Sequence, residues 1–261
     1  MSEQSVQRKK AVKIGYYNDH FQNFKRYDVP RAQLVIADIP YNVGNKAYGS
    51  NPLWYIGGDN KNGESELAGK QFFDTDKNFN INEFFHFCSK LIIKEPKERG
   101  KAGCMIVFCE FEQQFALIDV AKRHGFNNYI NLVFRKNFSA QALKANMRVV
   151  GNCEYAMLFY REKLPKFNND GKMIFNCIDW QKDTTVKKIH PTQKPLNVLK
   201  NLIQIFTDEG DIVIDPCAGS GSTLVAAHHL GRSAYGFEIK KDFYAAGKEF
   251  IAENTSQGRL F

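Results

Sequence analysis

The stretch Asp211 to Lys240, DIVIDPCAGSGSTLVAAHHLGRSAYGFEIK, decides the architecture. It begins with an apolar run, DIVID, bounded at once by Pro216 and by Gly219 and Gly221. Apolar residues then recur at helical spacing through STLVAAHHL, and a second short run, SAYGFEI, follows. Strand, tight turn, helix, strand is the repeating unit of a parallel sheet. The two glycines let the main chain turn tightly and let a ligand approach it. Glu238 comes 19 residues after Gly219, at the expected carboxyl end of the second strand. An acid there is placed to accept hydrogen bonds from both hydroxyls of a ribose.

The same turn excludes the commoner nucleotides. A triphosphate-binding loop needs a lysine before its Ser/Thr, and Ser222 stands there. The dinucleotide fingerprint needs a third glycine, where this chain has Leu224. Asp215, beside the turn, repels a pyrophosphate and attracts an ammonium. S-adenosylmethionine carries a ribose, an amino-acid ammonium and a sulfonium but no phosphate, and it fits this acid pair. A glycine turn without any ligand is the alternative.

Working outward, strand-like runs lie at 11–17, 33–38, 104–110, 129–135, 154–160, 211–215 and 233–239, seven in all. Helical periodicity marks 81–93, 111–124, 195–206, 222–230 and 241–253. Strands apolar on both sides that alternate with helices predict an α/β chain, doubly wound, with a mostly parallel seven-stranded sheet covered on both faces. At 261 residues one domain spanning 1–261 is expected. Residues 43–80, rich in Gly and Asn, are expected to form a long mobile loop, and 137–150 and 161–189 are irregular and basic.

No run of 18 apolar residues exists, and the polar opening MSEQSVQRKK has no apolar signal region behind it, so a cytoplasmic, membrane-free protein is expected. The six cysteines contain no Cys-x-x-Cys pair, which argues against a zinc site and a disulfide framework; no metal is expected. Formal charge is +8, and from Arg135 to Lys194 twelve Lys or Arg face five Asp or Glu. Such an excess suits a polyanion, although an ordinary solvated face reads the same way.

A second chemical stretch is VIADIPYN at 35–42, an apolar strand that stops on a carboxylate, a proline and an aromatic ring. DIPY at 38–41, HPTQKP at 190–195, DPCAGSGST at 215–223 and GFE at 236–238 together resemble the β-group DNA amino-methyltransferases, over about Lys13 to Phe250. In that group the catalytic tetrapeptide precedes the glycine loop, as here. The resemblance implies a Rossmann-like methyltransferase fold with a target-recognition insertion, for which 137–150 and 161–189 are the candidates. NCEYAMLFYREK at 152–163 looks like the family's last sheet strand.

Carried onto this chain, the resemblance assigns Asp38, Ile39, Pro40 and Tyr41 to catalysis on an exocyclic base amine. It assigns Asp215, Cys217, Gly219, Ser220, Gly221 and Thr223 to the methionine part of S-adenosylmethionine, Glu238 to its ribose, and Thr192 and Lys194 to the other side of that pocket. Lys194 suits the donor's carboxylate. Asp19 corresponds to an acid near the donor's adenine, with Asn18 in place of the usual neighbouring glycine. Ile39 replaces the family's usual proline. Lys136, Lys144, Arg148, Lys166, Lys182, Lys187 and Lys188 are expected to contact phosphates of double-stranded DNA, with single-stranded or hemimethylated DNA as alternatives and a monomer or homodimer as the assembly. Asp in the first position of the tetrapeptide goes with adenine N6, where Ser is commoner for cytosine N4. A restriction-modification setting fits this group. Methylation of RNA or of a protein amide, and a binding module without turnover, are the remaining readings; amide enzymes place the tetrapeptide after the glycine loop, unlike this chain.

Overall fold

The computed structural model describes residues 11–40, 79–137, 151–180, 189 and 193–256. Their strands are β1 (Ile14–Tyr17), β2 (Leu34–Asp38), β3 (Cys104–Cys109), β4 (Asn128–Lys136), β5 (Cys153–Tyr160), β6 (Cys177–Trp180), β7 (Ile212–Asp215) and β8 (Ser233–Phe237). The helices are α1 (Ile81–Leu91), α2 (Gln113–Arg123), α3 (Leu196–Phe206), α4 (Ser222–His229) and α5 (Lys241–Ser256), with a 3-10 turn at Phe21–Arg26.

The eight strands form one sheet in the order β1-β8-β7-β2-β3-β5-β4-β6. The expected count of seven is corrected to eight. The additional strand is β6, whose four residues CIDW are too few to show an alternation; it exists because it pairs in parallel with the open edge of β4. β5 pairs antiparallel with both β3 and β4, and every other pairing is parallel. β5 is the family-like strand expected from 152–163, and it lies inside the sheet rather than at its edge.

Alternation along the strands divides the core. Leu34, Ile36, Ile106, Phe108, Leu132, Phe134 and Val213 face α3, α4 and α5. Val35, Ala37, Met105, Val107 and Ile214 face α1, α2 and the 3-10 turn. Apolar residues on both sides of each strand need a helical layer on both faces, and the helices supply it. Phe84, Phe85 and Phe87 of α1 are fully buried in the second layer, each contributing about 1.5–3 kcal/mol. Asn80 starts α1 by accepting the N–H groups of Asn82 and Glu83.

β2 leads through α1 to β3 on one side, while β7 leads through α4 to β8 on the other. The winding order therefore reverses between the parallel neighbours β2 and β7, and such a switch point opens a crevice at the carboxyl ends of the strands. Asp38 ends β2 and Asp215 ends β7.

Much of 161–180 belongs to the scaffold. Arg161 donates to the carbonyls of Ile93 and Ser89, and Lys163 to those of Pro96 and Lys97. Lys166 is corrected as a phosphate contact: it is 8% exposed, and its ammonium lies 2.6 Å from Asp208 and 2.7 Å from Asp211. Its N–H bonds to Ala102 just ahead of β3, and Asp211 directly precedes β7. Lys166 thus braces the amino edge of the sheet, opposite the crevice.

Candidate active site

The glycine turn is held in shape by its own backbone. Gly219 (φ 48°) and Gly221 (φ 75°) both adopt left-handed conformations. A side chain on Gly221 would also meet Ile251 at 2.7 Å. Gly221 N–H donates to Ala218 O, and Gly221 caps α4. Tyr16 reaches from β1 to donate to Gly219 O at 2.6 Å. Ser220 and Ser222 share a hydroxyl hydrogen bond.

Two acids converge on this turn. Glu238 accepts the N–H of Gly219 at 3.1 Å and that of Lys240 at 2.7 Å; burial raises its carboxyl above the usual range, against the pull of those N–H groups. Asp215 accepts the N–H of Cys217 and a bond from Thr223. Burial, reinforced by the like charges of Asp38 and Glu238, pushes its carboxyl up to about 7. Acids that are costly to ionise alone favour a cationic neighbour.

Asp19 lies two residues past the end of β1. Its carboxylate accepts from His20 N–H, Asn23 and Tyr27, each at 2.7 Å. These bonds, the Asn23 one first, hold it below its usual range. Asn18, in place of the family glycine, donates to the carbonyls of Glu238 and Ile239 and so ties the end of β1 to the end of β8.

The tetrapeptide begins at the rim. Ile39 is 2% exposed, packed among the apolar residues facing α1, and its N–H donates to Phe108 O. Gln113, the first residue of α2, donates to Pro40 O at 2.9 Å. The Ile39 replacement therefore fills core volume, while Pro40 still holds Ile39 extended.

Lys194 does not turn to Glu238 or Asp215. Its Nζ lies 2.9 Å from Asp38 Oδ1 and 3.1 Å from Glu154 Oε2, over the rings of Phe108 (4.9 Å) and Trp180 (5.7 Å). Lys136 pairs with the other oxygen of Glu154 and covers Trp180 at 5.3 Å. Lys136, expected on a phosphate, is thus engaged inside the rim. Burial works to raise the Glu154 carboxyl, but Lys194 and Lys136 outweigh it and hold it low.

Glu154 was not singled out in the sequence. Its signal was parity: it shares a face with Ala156 and Leu158, so an acid at the head of that strand points toward the same side as Phe134 and Lys136. Tyr41, Lys144, Arg148, Lys182, Lys187, Lys188 and Thr192 lie outside the described residues.

Fold and site together define an α/β protein with a glycine turn flanked by two acids beside a rim carboxylate at the sheet's switch point. Residues 32–249 match the DNA methylase family model, and the chain belongs to that family. The methyl donor of the family is S-adenosylmethionine. Here the Gly219–Gly221 turn, Asp215 and Glu238 fit its cationic amino-acid part and its ribose.

The chain is 26% identical to the type II methyltransferase M2.DpnII of Streptococcus pneumoniae, over 92% of this chain and 90% of that one. It is 31% identical to the DNA adenine methyltransferase YhdJ of Escherichia coli, over 88% and 80%. With the putative methylase YubD of the same organism it shares 32% identity over 58% of this chain, spanning 63% of YubD. The fold is also that of M1.HpyAVI, solved with S-adenosylmethionine (TM-score 0.62, 21% identity, 91% of this chain and 99% of that one). The cytosine-N4-specific PvuII DNA methyltransferase shares it too (TM-score 0.62, 15% identity, 95% and 93%).

Proposed function

We propose that this DNA methyltransferase acts on the N6 amine of an adenine taken out of the duplex. The observation that carries the reading is Asp38, a carboxylate at the switch point immediately beside the Asp215 strand end. An exocyclic amine is a poor nucleophile because its lone pair is delocalised into the ring. The Asp38 carboxylate and the Ile39 carbonyl each accept one N–H, which localises the lone pair and aims it at the donor's methyl group. Bound S-adenosylmethionine supplies an electrophilic methyl on its sulfonium. Tyr41, two residues past Ile39, offers a stacking surface that offsets part of the few kcal/mol cost of extrusion.

In this reading Lys144, Arg148, Lys182, Lys187 and Lys188, which lie outside the described residues, are the phosphate contacts. Homodimerisation and a paired nuclease are compatible with it, as is a cytoplasmic setting.

Adenine is favoured by Asp at the first tetrapeptide position and by likeness to a named adenine methyltransferase. Cytosine N4 is the second reading, because the fold is also shared with a cytosine-N4 enzyme. The test incubates the protein and Asp38→Ala with DNA and methyl-labelled donor, then digests the DNA to nucleosides. Label in N6-methyladenine, lost in the variant, supports the proposal. Label in N4-methylcytosine alone replaces it with the second reading, and no label in any polynucleotide overturns both.

A further inference from the structure

Four charged side chains alternate in sign along the rim: Asp38, Lys194, Glu154 and Lys136. They come from β2, the entry to α3, the head of β5 and the end of β4. Lys194 is 9% exposed and is pressed against Phe108 and Trp180. A buried ammonium facing Asp38 with no other anion would draw that carboxylate into a full ion pair. Its lone pairs would then serve the lysine instead of the substrate N–H. Glu154 prevents this, since it takes a share of the Lys194 ammonium at 3.1 Å while Lys136 holds its second oxygen. Among these four side chains two anions face two cations, with one lysine on each Glu154 oxygen.

We infer that Glu154, fixed by Lys136, is a positioning residue that acts through Lys194 to orient the Asp38 carboxylate while keeping it able to accept the amine N–H. This rests on Asp38 being the amine's acceptor. It gives Lys194 and Lys136 a role at the reacting centre in place of the donor's carboxylate and a DNA phosphate. In Glu154→Gln the amide cannot balance Lys194, whose charge then falls more heavily on Asp38. In Lys136→Met, Glu154 loses one anchor and swings further onto Lys194, drawing the ammonium off Asp38 so that the carboxylate loses its orientation.

The experiment measures single-turnover methyl transfer with the full chain, at saturating S-adenosylmethionine and DNA, for the parent, Glu154→Gln, Lys136→Met, Glu154→Asp and the Glu154→Gln/Lys136→Met double variant. Donor affinity by calorimetry and thermal melting accompany each rate. Glu154→Gln is expected to slow transfer about tenfold with donor affinity within about twofold, Lys136→Met about threefold, and Glu154→Asp less than the amide. The double variant should be no slower than Glu154→Gln, because the effect of Lys136 on Asp38 runs through Glu154.

A parental rate in folded Glu154→Gln, rate losses that multiply in the double variant, or a loss of donor affinity equal to the loss of rate overturns the inference. If Glu154→Gln does not fold, Lys136→Met decides, and a parental rate there overturns it. A parent that labels no DNA overturns the activity and the inference together, whereas an active parent with an equally active Glu154→Gln overturns the inference alone.

Discussion

Affinity for S-adenosylmethionine should rise with pH up to about neutrality, and Asp215 is the reason. Its carboxyl is buried at the end of β7 beside Asp38 and Glu238, and its midpoint is pushed from 3.8 up to about 7. The free protein therefore carries Asp215 protonated below that value, while the donor's ammonium is held best by the ionised form. With a midpoint near 7, about one molecule in ten is ionised at pH 6 and most are by pH 7.5. Apparent affinity should thus increase roughly sevenfold to tenfold between those values, about 1.1–1.4 kcal/mol. The sign for folding is opposite. Because the folded value is raised, ionising Asp215 costs the free protein stability that is intact below about pH 4 and is lost as pH climbs toward 7. Added donor should accordingly raise the melting temperature more at pH 7.5 than at pH 6. Calorimetric titration of the parent and of Asp215→Asn across pH 5.5–7.5 checks this. The variant should bind weakly with a nearly flat profile. A flat parental profile, or an unchanged slope in Asp215→Asn, refutes the reasoning.

Gly221→Ala should lower stability by about 1–3 kcal/mol in a denaturant melt, since φ is 75° and the new carbon meets Ile251 at 2.7 Å. Lys166→Met should cost about 1–2 kcal/mol, reduced from a buried pair's worth because Asp208 is half in solvent, and should leave the salt dependence of DNA binding unchanged. Gln113→Glu removes the donor to Pro40 O while retaining an acceptor for Glu110 N–H. Transfer should slow severalfold, about 1 kcal/mol for one lost hydrogen bond, with donor affinity held, as read by parallel rate and calorimetric measurements.

Local signals made most of the scaffold legible. The five helices and seven of the strands lie where periodicity put them, because each buries a stripe or a face whose spacing is written in consecutive residues. The glycine turn was equally readable: Gly219 and Gly221 occupy backbone conformations that side-chain-bearing residues rarely adopt. Glu238 was placed by counting along a strand–helix–strand unit of nearly fixed length. β6 was not legible, since four residues at an edge gain their order from β4 rather than from their own pattern.

Charge was the least legible property. Lys136 and Lys166 are alike in sequence, each one cation in a basic region, and even for Lys194, marked by HPTQKP, the role depends on which anion the fold brings within a few ångströms. The partners of Lys166 lie 42 and 45 residues away at the amino edge, while those of Lys194 lie 156 and 40 residues away at the carboxyl rim. The sequence by itself determined the layered α/β architecture, the turn and the acids at the strand ends, because these follow from short-range sterics and burial. Only the tertiary structure decided that Asp38 shares a lysine with Glu154, because the sheet brings the ends of β2 and β5, distant in the chain and separated by β3, to one rim.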